Sequence, residues 1–313
     1  MVTVYDLITE RIVEKLQQGT ILWQKPWNSA AGFPRNLSSQ KAYRGINVWV
    51  LGSAGYSSPY WLTFKQAKEI GGYVRKGEQG FPVVFWKWVD GTGEAEDNEE
   101  ITTPRRRMPL ARLYHVFNVQ QCELPERLLP FLQIHEPLSP DPQTQIAACE
   151  QILAHMPTRP PIEHSEARAY YRPVQDVVNM PARGLFPKME HYYSVLFHEL
   201  THSTGHWQRL YRQTLTDLCP FGSTNYSKEE LVAEMGAAFL CGVAGIANET
   251  VDTSAAYIQS WLTKLQNDTR LVILAAAQAQ KAADYILGNT GLEEDTKCNS
   301  GSSKYRDGGK AEQ

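Results

Sequence analysis

The spacing of apolar residues changes several times along the chain, and each change marks an element. Leu7, Ile8, Ile12 and Leu16 recur at intervals of three and four. Thr3 and Asp6 stand at capping spacing before them and Gly19 follows, so the pattern predicts a helix over 4–18. Thr63 and Gln66 form a second capping-box spacing and open a short helix that ends at Gly71-Gly72. Strands are predicted at Tyr73 to Lys76 and, after a Gly77-Glu78-Gln79-Gly80 turn, at Val83 to Val89. A further strand, Leu110 to Val119, pairs with the latter as a hairpin across the polar loop 90–104.

Five prolines between Pro125 and Pro142 read as a linker. Beyond them, Gln143 to His155 is helical, Ala169 to Tyr171 and Asp176 to Met180 read as strands, and Phe186-Pro187 leads into a helix that contains His198. Further helices are predicted over 228–242 and 254–287. The sum is an α+β chain in two domains: a small mixed α/β domain over 1–130, a linker over 131–142 and a second domain over 143–288. The Gly-, Ser- and Lys-rich stretch 289–313 cannot bury enough apolar surface to order itself, and a disordered tail is expected there.

Composition narrows the class. With 42 % apolar and 11 % aromatic residues in 313, there is ample material for packed cores. No apolar run reaches the length of a membrane span, and Met1 to Asp6 leads straight into an amphipathic helix, so a cytoplasmic protein without a membrane partner is expected. Five scattered cysteines with no C-x-x-C pair suggest neither a disulfide framework nor a cysteine metal site. Charge is unevenly placed. Residues 1–90 hold 11 Lys and Arg against 6 Asp and Glu, whereas residues 113–313 hold 16 against 23, which points to an anionic partner for the first part alone. Five acids in 91–100 and then Arg105-Arg106-Arg107 sit in the hairpin loop, either as a solvated tip or as a phosphate contact.

Candidate chemistry lies in two places. His198-Glu199-Leu200-Thr201-His202 is an H-E-x-x-H pattern. On a helix it sets two imidazoles one turn apart on one face, the arrangement that two metal ligands need, with Glu199 beside them as a general base toward water. The third ligand is expected from Glu229, Glu230 or Glu234 on the next helix. Glu230 is favoured because Glu234, four residues on, could then hold a histidine N–H from behind, although Ser227 to Glu230 is itself a capping-box spacing that would turn Glu230 away. His206 is read as structural. Two His and a carboxylate suit Zn²⁺ and would also accept Mn²⁺ or Co²⁺.

The second place is the segment from Ile21 to Trp61, where rings alternate with cations. Trp23, Trp27, Tyr43 and Trp49 could stack on unpaired bases, while Arg44, Lys65, Lys68, Arg75 and Lys76 follow the phosphates of single-stranded DNA. Any one of these rings is better explained as a core residue, and the cations are the firmer candidates.

His198 to Trp207, Glu229 to Glu234 and Ser260-Trp261-Leu262 resemble the C-terminal zincin-like metallopeptidase domain of the ArdC antirestriction proteins of conjugative plasmids. Tyr43 to Asn47, Leu62 to Ala67 and Arg75 to Glu78 resemble that family's N-terminal domain, a single-stranded DNA-binding module. The resemblance spans roughly 1–290 and implies a protein that protects incoming DNA from host restriction during conjugation. It also implies a gluzincin-like, zinc-dependent metallopeptidase fold acting on an unidentified protein substrate or restriction enzyme. The alternative is a DNA-binding protein whose peptidase domain serves only as scaffold or interaction surface.

Overall fold

The computed structural model describes residues 3–24, 32–90, 107–128, 141–212, 224–248 and 254–289. Helix α1 (Val4–Gln17) starts with the reciprocal capping box of Thr3 and Asp6 and buries Ile8, Ile12 and Leu16. Strand β1 (Arg35–Asn36) and helix α2 (Ile46–Gly52) follow. Strand β2 (Tyr60–Thr63) then runs directly into α3 (Phe64–Glu69), whose Thr63–Gln66 capping box is also formed. Strands β4 (Phe81–Asp90) and β5 (Arg107–Asn118) make the expected hairpin, from Phe81 opposite Val116 to Asp90 opposite Arg107.

The hairpin belongs to a four-stranded sheet of order β1-β2-β5-β4, in which β2 pairs with β5 only over Trp61–Asn118 to Thr63–Val116. One expected strand is shortened. The strand at Tyr73 is short (β3, Tyr73–Val74) and joins β6 (Cys122–Glu123) in a separate ribbon, because Arg75 turns back to the carbonyl of Gln120. The outer edge of β4 is closed by Asn47, whose amide donates to the Val84 carbonyl (2.8 Å) and accepts from the Val84 N–H (2.7 Å).

The second half opens with α4 (Pro142–His155), capped by Asp141 with Pro142 at its first position, so Pro142 belongs to the helix and not to the linker. A three-stranded sheet of order β7-β9-β8 (Ile162–Glu163, Val177–Asn179, Tyr170–Arg172) lies beside α5 (Met189–Ser203), followed by α6 (Thr224–Ala244). The single helix expected over 254–287 is two, α7 (Ala255–Asn267) and α8 (Leu271–Ile286). Asp268 is extended at the break and accepts from the Arg270 N–H. The carbonyl of Thr269, freed there, takes a hydrogen bond from Thr9 of α1 at 2.7 Å. Tertiary docking thus overrides a run of residues that local preference alone would keep helical.

The two halves share one core. Ile8, Ile12, Trp23, Trp49 and Val84 of the first half join Leu196, Phe239, Trp261 and Ala276 of the second in a single cluster. Trp49 lies against Phe239 (centroids 4.8 Å apart) and Trp23 meets Trp261 edge-on at 5.9 Å. Most of the expected linker, and all but the first residue of the expected tail, lie outside the described residues.

Candidate metal centre and nucleic-acid interface

Helix α5 presents its apolar side, Tyr193, Leu196, Phe197 and Leu200, to the core, and so carries His198 and His202 onto the side that faces α6. The two helices approach closely because position 236 is glycine. A Cβ there would stand 2.4 Å from the Thr201 methyl, and that side chain is fixed by its hydrogen bond to the Phe197 carbonyl. Across this contact the Nε2 atoms of His198 and His202 lie 3.1 Å apart, and the Glu230 carboxylate stands 3.6 Å from the first and 3.5 Å from the second. One donor atom from each of the three residues falls within 4.8 Å of the others. Ligands at about 2.0–2.1 Å on a tetrahedral ion are separated by roughly 3.3 Å, so this triangle fits such an ion without rearrangement.

Glu230 is the acid that meets the histidines. The capping box that would have turned it away does not form, since α6 begins at Thr224 and Ser227 is already inside it. Its neighbours take other parts. Glu229 stands behind the site, 3.4 Å from His202 Nδ1, and is held by Arg212, whose Nε donates at 3.1 Å and Nη2 at 2.5 Å. Burial would raise the Glu229 carboxyl, but the hydrogen bond from His202 and the Arg212 charge outweigh it and hold the group at about 2. Arg212 also donates to Thr204 Oγ1 and the Thr201 carbonyl, which anchors the ion pair to the end of α5. The carboxylate behind the histidine is therefore Glu229, where sequence spacing had suggested Glu234.

Glu234 accepts a hydrogen bond from the Tyr257 hydroxyl, and burial raises its carboxyl to about 7. Tyr257 in turn accepts from the Trp23 indole at 3.1 Å, so a side chain of the first half reaches the back of the site. Glu199 is 8 % exposed beside His198. Burial opposes protonation of His198, but the carboxylates of Glu230, Glu199 and Glu234 overcome it and raise the imidazole to about 9. The pocket thus has a negative potential suited to a cation. His206 is buried, with Nδ1 3.9 Å from Asp176, which agrees with a structural role.

The nucleic-acid candidates divide. Trp23 and Trp49 are fully buried and Tyr43 nearly so, which corrects their assignment as stacking rings: they pack the common core and the α2–sheet contact, and no base can reach them. Trp27 lies outside the described residues. The cations do face solvent. Lys68 and Lys76 are exposed, Lys65 lies 3.6 Å from Glu69, and Arg75 pairs with Glu78 at 3.0 Å. Arg44 is 49 % exposed and forms an ion pair with Asp284 of α8, across the boundary between the halves. Sequence reasoning missed Arg212, whose partner is set by the fold alone. It also missed the exposed rings of the hairpin, although strand alternation carried their signal.

Two family models match the chain over separate stretches. Residues 3–117 match the N-terminal domain of the anti-restriction factor ArdC, and residues 147–278 match a zincin-like metallopeptidase model. The chain is 37 % identical over 302 residues to a DNA primase TraC of Escherichia coli, covering 90 % of this chain but only 27 % of the primase. It is 35 % identical over 292 residues to the uncharacterized protein y4eC of Sinorhizobium fredii, covering 91 % of that protein. The metal-free crystal structure of antirestriction ArdC from plasmid R388 superposes with a TM-score of 0.69 at 38 % identity, over 92 % of this chain and 98 % of that one. Its Mn(II)-bound form gives 0.67 at the same 38 % identity. Identity at this level over essentially the whole of a solved relative places the chain in the ArdC antirestriction family.

Proposed function

We propose that this protein binds single-stranded DNA through its N-terminal half and carries a zinc-dependent peptidase centre in its C-terminal half, protecting incoming DNA from restriction in the recipient cytoplasm. The observation that carries this reading is the convergence of His198, His202 and Glu230, with Glu199 alongside and Glu229–Arg212 behind. A divalent ion held by the first three residues would supply Lewis-acid activation of water. The chain's own groups do the rest. Glu199 accepts the proton of the attacking water and returns it to the leaving nitrogen, and Glu229 fixes the tautomer of His202 by accepting a hydrogen bond from its Nδ1–H.

The donor set of two imidazoles and a carboxylate supports Zn²⁺, and Mn²⁺ or Co²⁺ fit the same triangle. Among the described residues no helix is long and apolar enough to cross a membrane. A second reading keeps the DNA binding and makes the peptidase domain an interaction surface for a restriction enzyme. The Glu229–Arg212 pair speaks for the first, because a scaffold has no use for an oriented imidazole.

The test is metal analysis of the purified protein with an oligo-dT titration. One equivalent of metal is expected in the wild type and in Glu199→Gln, with peptidase activity lost in the latter, and none in His202→Ala. Full occupancy in His202→Ala would refute the centre.

A further inference from the structure

The outer part of the β4–β5 hairpin has two unlike faces. On the loop side of Val116, from Arg107 to His115, β5 is paired with β4 alone, so the sheet narrows there to a two-stranded ribbon. Residues directly opposite in register share a face, as do residues two apart. Val84, Trp86, Ala111 and Leu113 therefore make up one face. It is packed onto the common core, with Trp86 6.2 Å from Tyr5 of α1. The other face begins in a small cluster at its base, where Val83 and Val116 are covered by Tyr43, Leu51 and Trp61.

Farther out that second face is open. It carries Phe85 of β4 and Leu110, Arg112 and Tyr114 of β5, with Phe85 directly opposite Arg112. Phe85 is 39 % exposed, Tyr114 37 % and Leu110 45 %, and Arg112 is exposed. A solvated sheet face ordinarily carries polar residues, so aromatic rings here call for an occupant. The rings are also held in place: Phe85 and Tyr114 meet at 81° with centroids 5.5 Å apart, and buried Tyr43 supports Phe85 at 6.4 Å. A fixed ring loses little conformational entropy when a flat partner lands on it.

We propose that Phe85, Tyr114 and Arg112 form the stacking platform of the single-strand site: one or two unpaired bases lie on the rings and the Arg112 guanidinium meets the neighbouring phosphate. The proposal rests on the reading that the N-terminal half binds single strands, and it assigns to this ribbon the part that buried Trp23 and Trp49 cannot play. An apolar protein partner would fill such a face with its own side chains and would gain nothing from a cation opposite a ring. A nucleic-acid strand uses both, since every base has a π-face and every linkage a charge. Among the described residues Arg112 forms no ion pair, so its charge is available to a phosphate.

The test uses the full chain and a labelled oligo-dT of about 15 nucleotides, followed by anisotropy over a range of salt. Phe85→Leu and Tyr114→Leu keep apolar bulk and remove the ring. Each is expected to weaken binding about 5-fold or more without changing the salt slope, while Tyr114→Phe stays within about twofold. Arg112→Gln is expected to lower the slope of log affinity against log salt by about 0.7. Unchanged thermal midpoints in the Leu variants separate loss of contact from loss of fold. Wild-type protein that binds while the double Leu variant binds equally well would overturn the platform and leave the single-strand reading standing, with the ribbon assigned to protein contacts instead. Wild-type protein that fails to bind oligo-dT would remove both.

Discussion

The metal centre and the nucleic-acid face place their working residues on opposite sides of the burial divide. At the centre the chemistry is internal: the histidines, Glu229 and Arg212 converge where α5 meets α6, and burial strengthens each contact by lowering the local dielectric. At the nucleic-acid face the chemistry must be external, because a base can stack only on a ring it can reach. Spacing along one helix therefore specifies the two histidines of the first site and leaves its carboxylates to the fold. Richness in rings and cations says little about the second, because the same tryptophan serves a core and a stacking surface equally well until the fold decides which.

The largest difference should appear when a ring is removed from each side of that divide. Trp49 is fully buried against Phe239, so Trp49→Ala should cost about 3–5 kcal/mol of stability and cut DNA binding only as far as it unfolds the protein. Phe85→Ala, on the open face, should cost less than about 1 kcal/mol of stability. Chemical denaturation of both variants checks this. A Trp49→Ala protein of wild-type stability with impaired single-strand binding would return Trp49 to the interface.

Smaller in effect is the support behind His202. Arg212 and Glu229 touch no reacting atom, yet removing either frees the imidazole to rotate. Glu229→Gln should weaken metal affinity about 10- to 100-fold, measured by competition with a chromophoric chelator. Arg212→Ala should also lower stability, since it leaves the buried Glu229 carboxylate without its guanidinium counter-charge. Unchanged metal affinity in Glu229→Gln would mean that the carboxylate merely fills space.

Sequence made legible whatever local chemistry decides. The Thr3–Asp6 and Thr63–Gln66 capping boxes and the His198 helix follow from contacts within a few residues, the β4–β5 hairpin from two strand-like runs that are neighbours in the chain, and all are present. What stayed hidden depends on distant partners. The helix break at Asp268 leaves the Thr269 carbonyl to be satisfied by Thr9, 260 residues from it. The choice among Glu229, Glu230 and Glu234 turned on where α6 starts and on Arg212, neither of which the local pattern contains. The two halves looked independent along the chain because nothing in the sequence shows that Trp23 reaches Tyr257 and Glu234.

That last contact supplies the smallest and most discriminating test of how far the halves are joined. In the metal-free protein burial raises the Glu234 carboxyl to about 7 from an ordinary 4.5, so the group takes up a proton on folding between those values. Its contribution to stability is complete below about pH 4.5 and is lost as pH rises through 7, because the unfolded chain then tolerates the charge better than the folded one. Glu234→Gln keeps an acceptor for the Tyr257 hydroxyl and carries no charge. Its stability relative to wild type should therefore rise from pH 5 to pH 8 by on the order of 1–3 kcal/mol, a few degrees in thermal midpoint in the presence of chelator. Loading a divalent ion places positive charge near the carboxylate and should shrink that pH slope. Trp23→Phe, which removes the indole donor to Tyr257 from the other half, should change the slope as well. An identical pH profile for wild type and Glu234→Gln, with and without metal, would show that the Trp23–Tyr257–Glu234 chain only packs the halves together and carries no electrostatic link to the centre.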